Sequence, residues 1–176
     1  MTASSTDVRD LLRRMFDALS ACDEAALAEV IHPDATNREA VREPPDCRGR
    51  GPAAFVATAR WLTTAHSGLR WEVREVVQDG DLVVAHTTMS GTHTGPFVVY
   101  TADGAVETVF PATGRAFAAP QTHWLRLVDG MVVEHWANRD DMGMAKQLGW
   151  VPPRATYLAR TALATRRART ASPSGG

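Results

Sequence analysis

Between residues 121 and 141 the chain gathers Gln121, His123, Asn138, Asp140 and Asp141 around Trp136. An imidazole, a carboxylate and side-chain amides are groups that can take up and return a proton and hold an oxygen by hydrogen bonds. Asp129-Gly130 lies between the two halves of this segment, and such a pair signals a two-residue hairpin loop that fixes the register of its strands. Counting outward, Val128 opposes Met131, Leu127 opposes Val132, Leu125 opposes Glu134, His123 opposes Trp136 and Gln121 opposes Asn138. Alternation then predicts one face with Gln121, His123, Leu125, Leu127, Val132, Glu134, Trp136 and Asn138, and the other with Trp124, Arg126, His135 and Ala137. The first face is apolar near the turn and polar away from it, as at a pocket mouth. Trp136 offers a surface for a flat ring, while His123, Asn138 and Gln121 supply hydrogen bonds.

Asp140 and Asp141 follow at the strand exit, and parity alone leaves open which of them turns toward that face. Adjacent acids at such a place also serve as a helix cap and a solvated charge. An apolar pocket raises a carboxyl pKa toward neutrality and so makes it able to take a proton and return it. The remaining histidines carry less. His86 and His93 are seven residues apart and face oppositely in a regular strand, and no His-x-His or His-Glu-x-x-His spacing points to a metal. His32 reads as a helix terminator and His66 as a surface residue. Asn37, in a long polar loop, is a further pocket candidate. No Gly-x-Ser-x-Gly elbow and no glycine-rich phosphate loop occurs. Cys22 and Cys47 fit neither a disulfide framework nor a Cys-x-x-Cys motif, which leaves two reduced thiols.

The elements that position these groups divide into helices first and strands afterwards. Val8, Leu11, Leu12, Met15, Phe16 and Leu19 recur at helical spacing, with Asp7 as a cap. Asp23 opens a short second helix that ends at His32-Pro33-Asp34, because proline disfavours helix in the residue before it. A loop over 37–51 precedes a third helix carrying Phe55, Ala59 and Leu62. After Gly68, segments 69–77, 82–91, 97–110, 117–128 and 131–138 are rich in Val, Thr and aromatics, with turn signals at Asp79-Gly80-Asp81, Asp103-Gly104 and Pro111–Gly114. Short links imply antiparallel pairing, hence an α+β domain in which three N-terminal helices cover one face of a curved antiparallel sheet.

With 176 residues, 44% of them hydrophobic, the chain is sized for one domain, over 1–153, with a basic extension over 154–176. Near-neutrality hides an asymmetry: all 20 acids precede Pro153, and five arginines follow it. The extension reads as a solvated tail, helical around Tyr157 to Arg167 and disordered from Thr170. No apolar run suits a membrane span, Met1–Asp7 has neither the basic start nor the apolar stretch of a secretory signal, and the acidic body disfavours nucleic acid. The expectation is a cytoplasmic protein.

Residues 134–149, Glu-His-Trp-Ala-Asn-Arg-Asp-Asp-Met-Gly-Met-Ala-Lys-Gln-Leu-Gly, resemble the closing motif of the SnoaL-like polyketide cyclases, or ester cyclases, of the nuclear-transport-factor-2-like superfamily. Gly91-Thr-His-Thr-Gly95, Pro111-Ala-Thr-Gly-Arg115 and His123–Gly130 are similar to further elements of that family. The resemblance spans about residues 8 to 150. It implies a cone-shaped α+β barrel with a hydrophobic pocket, usually a dimer or tetramer. The implied activity is a cofactor-independent intramolecular aldol ring closure on an aromatic polyketide ester or related polycyclic ketone. It also implies Asp141 as the acid/base and His123 as the assisting histidine, with His93 bordering the pocket beside Trp136, Asn138, Gln121 and Asn37. Two departures stand out, a longer segment over 97–110 and the extra C-terminal extension. Epoxide hydrolysis by an Asp-Arg-Asp group around Arg139, and a non-catalytic binding module, are the competing readings of the same scaffold.

Overall fold

The computed structural model describes residues 5–171, with side chains from residue 8. Helix α1 (Ser5–Ala21) turns Val8, Leu12, Met15 and Phe16 inward. It starts ahead of Asp7, so that residue is not its cap, and the Asp7 side chain lies outside the described residues, as do 1–4 and 172–176. Asp23 caps α2 (Glu24–Ala28), its carboxylate accepting from the Ala26 N–H at 3.0 Å.

The next stretch departs from expectation. Residues Ile31–Asn37 form strand β1, with two 3-10 turns after it, Arg38–Arg42 and Pro45–Arg48. The second helix ends at Ala28, short of the expected stop at His32-Pro33, and Pro33 lies inside a strand, which an edge position tolerates, and β1 is an edge. Then follow α3 (Gly51–Ala65), β2 (His66–Asp79), β3 (Leu82–His93), β4 (Phe97–Tyr100), β5 (Val106–Phe110), β6 (Ala116–Val128), β7 (Met131–Arg139), α4 (Asp141–Leu148) and α5 (Ala155–Ala171).

Five strands make one open sheet in the order β1-β7-β6-β3-β2, antiparallel except for the β1–β7 pair, and β4-β5 is a separate hairpin. Three helices bury their apolar stripes on one sheet face: Leu12, Met15, Phe16, Leu27, Phe55 and Val56 pack with Val83, Ala85, Leu125 and Val132. Leu12→Ala would cost about 2–5 kcal/mol through lost contact and cavity. A second cluster, Leu69, Met89, Phe117, Ala119, Met144 and Leu148, seats α4 at the far end of the sheet.

The basic extension is not simply a solvated tail. Helix α5 covers the outer edge of β5, where Thr165 Oγ1 accepts from the Val109 N–H at 2.8 Å and Arg169 donates to the Val106 and Glu107 carbonyls. Tyr157 donates its hydroxyl to the Pro111 carbonyl at 3.0 Å. Edge-strand groups that would otherwise face water thereby gain partners. No helix among the described residues is long and apolar enough to cross a membrane.

Candidate active site

Asp129 and Gly130 both have positive φ, 50° and 78°, which matches the twist of a two-residue hairpin turn. The expected register holds for Val128↔Met131 and Leu127↔Val132 and then shifts by one residue. Beyond it Arg126 pairs with Glu134, Trp124 with Trp136, His123 with Ala137 and Gln121 with Arg139, so Val133 is an extra residue on β7. A bulge of one residue reverses which face every later side chain takes.

That shift decides the site. His135, expected on the far face, joins His123, while Trp136 and Asn138 move to the outer face. There Trp136 stacks on Trp124 at 6.0 Å under the Arg38 guanidinium, and exposed Asn138 accepts from the Trp124 N–H at 3.2 Å.

On the inner face four residues form a hydrogen-bonded chain, each link 2.9 Å long. Gln121 Oε1 meets His123 Nε2, His123 Nδ1 meets His135 Nε2, and His135 Nδ1 meets Asn37 Oδ1. Trp71 Nε1–H donates to Gln121 Oε1 at 3.0 Å, and the Glu39 N–H donates to Asn37 Oδ1 at 3.1 Å. Asn37 reaches the chain because β1 runs parallel beside β7, with Asn37 paired to His135.

The two imidazoles and Asn37 end on an apolar cavity of about 60 Å³ whose wall includes Phe16, Phe55, Leu62 and Trp71. Glu43 and Thr58 line its other side, the Thr58 hydroxyl donating to the Glu43 carboxylate at 2.5 Å. A wider groove of about 440 Å³ beside α5 has a cationic lining, Arg115, Lys146, Arg154 and Arg160, and no imidazole or carboxylate to accept a proton.

Neither Asp140 nor Asp141 lies on the cavity wall. Asp140 is the cap of α4, accepting from the Gly143 N–H at 2.8 Å. The Asp141 side chain is 75% exposed and 3.6 Å from Arg139, whose other nitrogen is 3.2 Å from Glu39 on the cavity rim. His93 is buried at another place, bonded to Thr113 and packed edge-on against Trp150. His66, expected at the surface, is 1% exposed beside it.

The SnoaL-like polyketide cyclase family model matches residues 9–148. The chain belongs to the SnoaL-like polyketide cyclase family. It is 35% identical over 147 residues to the aklanonic acid methyl ester cyclase DnrD of Streptomyces peucetius, a match covering 82% of this chain and 93% of that one. The nogalonic acid methyl ester cyclase of Streptomyces nogalater is 30% identical over 69% of this chain and 81% of its own. Among solved structures, TsrD from Streptomyces laurentii superposes with a TM-score of 0.67 at 25% identity, covering 84% of this chain and 98% of that one. Wild-type IdmH from Streptomyces antibioticus superposes with a TM-score of 0.59 at 26% identity, covering 80% of this chain and 97% of that one. The chain is an enzyme of this cyclase type.

Electrostatics in this SnoaL-like cyclase follow from burial. Desolvation, then the neighbouring imidazole and the Arg139 charge, hold His123 well below the usual histidine range. His135 is lowered to about 4 by burial first and Arg139 second. Glu43, 3% exposed, is pushed upward by burial, with Thr58 and Arg139 opposing. Beside it the Cys47 thiol is pushed up to about 12 by burial and by the Glu43 charge, which keeps it unreactive. The resting site is therefore uncharged at its imidazoles. Sequence reasoning missed His135, through the bulge, and Glu43, which sits in a stretch whose polarity marks it as loop. The one available signal for Glu43 was its place just before Pro44-Pro45, where the chain must bend back under α3.

Proposed function

We propose that this enzyme closes a ring by intramolecular aldol addition on an aromatic polyketide methyl ester, without metal or cofactor. Support comes from the two ester cyclase relatives and from one structural observation, an apolar cavity ending on a buried chain of neutral imidazoles. A carbon acid between two carbonyls gives a delocalised enolate, so a desolvated base and hydrogen-bond donors suffice. The enolate carbon then attacks a ketone carbon of the same molecule, and the resulting alkoxide takes back the proton. His123 and Asn37 stand on the cavity wall and Gln121 behind His123; Glu43 faces the same cavity, with burial raising its proton affinity. Asp141 is assigned to the rim, where it pairs with Arg139, because its exposed side chain lies off the cavity wall. An aromatic polyketide ester is larger than a cavity of about 60 Å³, so binding it requires the α1 and α3 side chains of the wall to move apart.

Arg139 does stand between two acids, Asp141 and Glu39, as epoxide opening by activated water would need. Asp141 is 75% exposed and neither it nor Arg139 lines the cavity, so the ring-closure reading is preferred. The two are separated by mass: incubation of purified enzyme with an aromatic polyketide methyl ester should give a cyclic product isobaric with the substrate. A product heavier by one water, or unchanged ester, would overturn the reading.

A further inference from the structure

We infer that the cationic groove beside α5 is a binding site for an organic ligand carrying two phosphate groups, separate from the cavity assigned to ring closure. Groove and cavity share no wall residue, so the inference stands or falls independently of the ring-closure reading.

Charge pairing sets this groove apart. Over the body of the domain the arginines are matched: Arg14, Arg38, Arg42, Arg74, Arg126 and Arg139 each form an ion pair with a carboxylate. Arg115, Lys146, Arg154 and Arg160 instead gather on one groove, with no Asp or Glu in its wall. Among the described residues none of the four is ion-paired. The extension after Pro153 carries five arginines and no acid, so it adds charge here without a counter-charge. Like charges around a concave surface repel one another and focus a positive potential into it, a cost that a bound anion removes.

Two of the guanidiniums are held in place by the fold. Arg160 donates to the Ala112 carbonyl at 3.2 Å and lies 6.0 Å from the centre of the Tyr157 ring, which is itself tied to the Pro111 carbonyl. That single bond leaves most of the N–H fork free. Arg115 lies over Gly149, the left-handed residue that ends α4, where a Cβ would come within 2.5 Å of Nη1. A side chain at 149 would displace the guanidinium. Arg154 precedes α5 and Lys146 lies in the last turn of α4, and both are exposed.

The ligand class follows from charge and shape. A guanidinium fork matches phosphate oxygens in pairs, whereas a lone carboxylate would answer one of the four charges. A phosphate monoester carries about −1.5 to −2 at neutral pH, so two such groups balance four cations. The volume of about 440 Å³ falls within the roughly 300–1,000 Å³ of small-molecule sites, and Leu148, Val151 and Pro152 offer apolar surface to the organic part. Arg154, Tyr157 and Arg160 lie beyond the residues matched by the family model, so this site belongs to the extension and not to the shared fold.

The test uses the full chain and two probes, inorganic pyrophosphate with adjacent phosphates and adenosine 3′,5′-bisphosphate with separated ones. Calorimetry at low salt should show one-to-one binding of at least one probe with Kd below about 1 mM, at least about tenfold tighter than inorganic phosphate. Arg154→Gln and Arg160→Gln should each weaken that binding by at least about fivefold, and Lys146→Gln by about twofold. The Arg154 and Lys146 side chains have no partner among the described residues, so their variants should melt with wild-type Tm and the lost affinity then reads binding, not folding. Amide shifts on adding the probe should centre on Gly149 and Thr156. No saturable binding of either probe up to about 10 mM, an affinity unchanged in Arg154→Gln, or shifts centred on Arg166 and Arg167 would overturn the inference. Tighter binding of hexaglutamate than of either probe would overturn it too, by assigning the groove to an acidic protein surface.

Discussion

Two pairs of histidines, of which three rings are buried and His135 is half-buried, occupy opposite parts of this enzyme, and they differ in what their nitrogens do. His123 and His135 lie with ring centroids 5.2 Å apart and every ring nitrogen in a hydrogen bond. His66 and His93 are 5.5 Å apart, and only their Nδ1 atoms have partners, the Leu62 carbonyl and the Thr113 hydroxyl. Their Nε2 atoms have none among the described residues, and the rings pack instead on Phe97, Phe117 and Trp150. Burial lowers the proton affinity of both pairs, to about 4 for His135 and for His66 alike. A depressed pKa by itself therefore does not mark a site. What separates the pairs is a cavity at the end of a chain with fixed polarity, against a closed aromatic box.

The sharpest way to break this comparison is to delete one ring from each pair. Replacing His135 by Gln should lower kcat by about 10²- to 10⁴-fold, whereas His66→Phe should leave kcat within about threefold. Equal losses in a steady-state assay would erase the distinction. Next in size is Trp71→Phe, which removes the indole N–H that holds the Gln121 oxygen toward His123. About a tenfold fall in kcat is expected, with KM little changed, and a change confined to KM would mean that Trp71 only lines the pocket.

Acid should unfold the protein through both pairs but inactivate it through one. Each imidazole is held below its unfolded value of about 6.5, so the neutral pairs contribute stability that is fully present above that pH and is lost as pH falls toward about 4. For His66 the shift corresponds to an effect on the order of 3 kcal/mol. Around His135 the groups that enter this balance are His123, Arg139, Glu39 and Glu43. Thermal melts from pH 7 to pH 4 should show a falling Tm that is shallower in His66→Phe, while the pH–rate profile of that variant keeps the wild-type shape. A rate profile that flattens together with the melts would assign both pairs the same role. The smallest effect belongs to Asp141→Asn: an exposed ion pair contributes about 0–1 kcal/mol, so both kcat and Tm should stay close to wild type. A loss of 100-fold in kcat would return the proton transfer to the closing-motif acid.

Much of the fold was legible because local rules govern it. The helical spacing of Leu12, Met15 and Phe16, the Asp23 cap and the Asp129-Gly130 turn all act within a few residues, and all appear where they were expected. Closing-motif residues were legible too, as a family signature. The site was read less well. His123 and Asn37 do line the cavity with Gln121 behind, but Trp136 and Asn138 were placed on the wrong face because parity counting assumes an unbroken ladder. Nothing in Met131-Val-Val-Glu134 marks Val133 as the residue that breaks it.

The sequence by itself determined the order of elements, the apolar stripes and the supply of proton-active groups, since these depend on residue type and near-neighbour spacing. Tertiary structure alone decided which of those groups meet. One extra residue in β7 turns His135 inward, a parallel edge strand brings Asn37 across 98 residues to meet it, and packing buries Glu43 beneath α3. The physical reason is that a hydrogen-bonded chain is set by register and burial, properties that exist only once distant strands have paired.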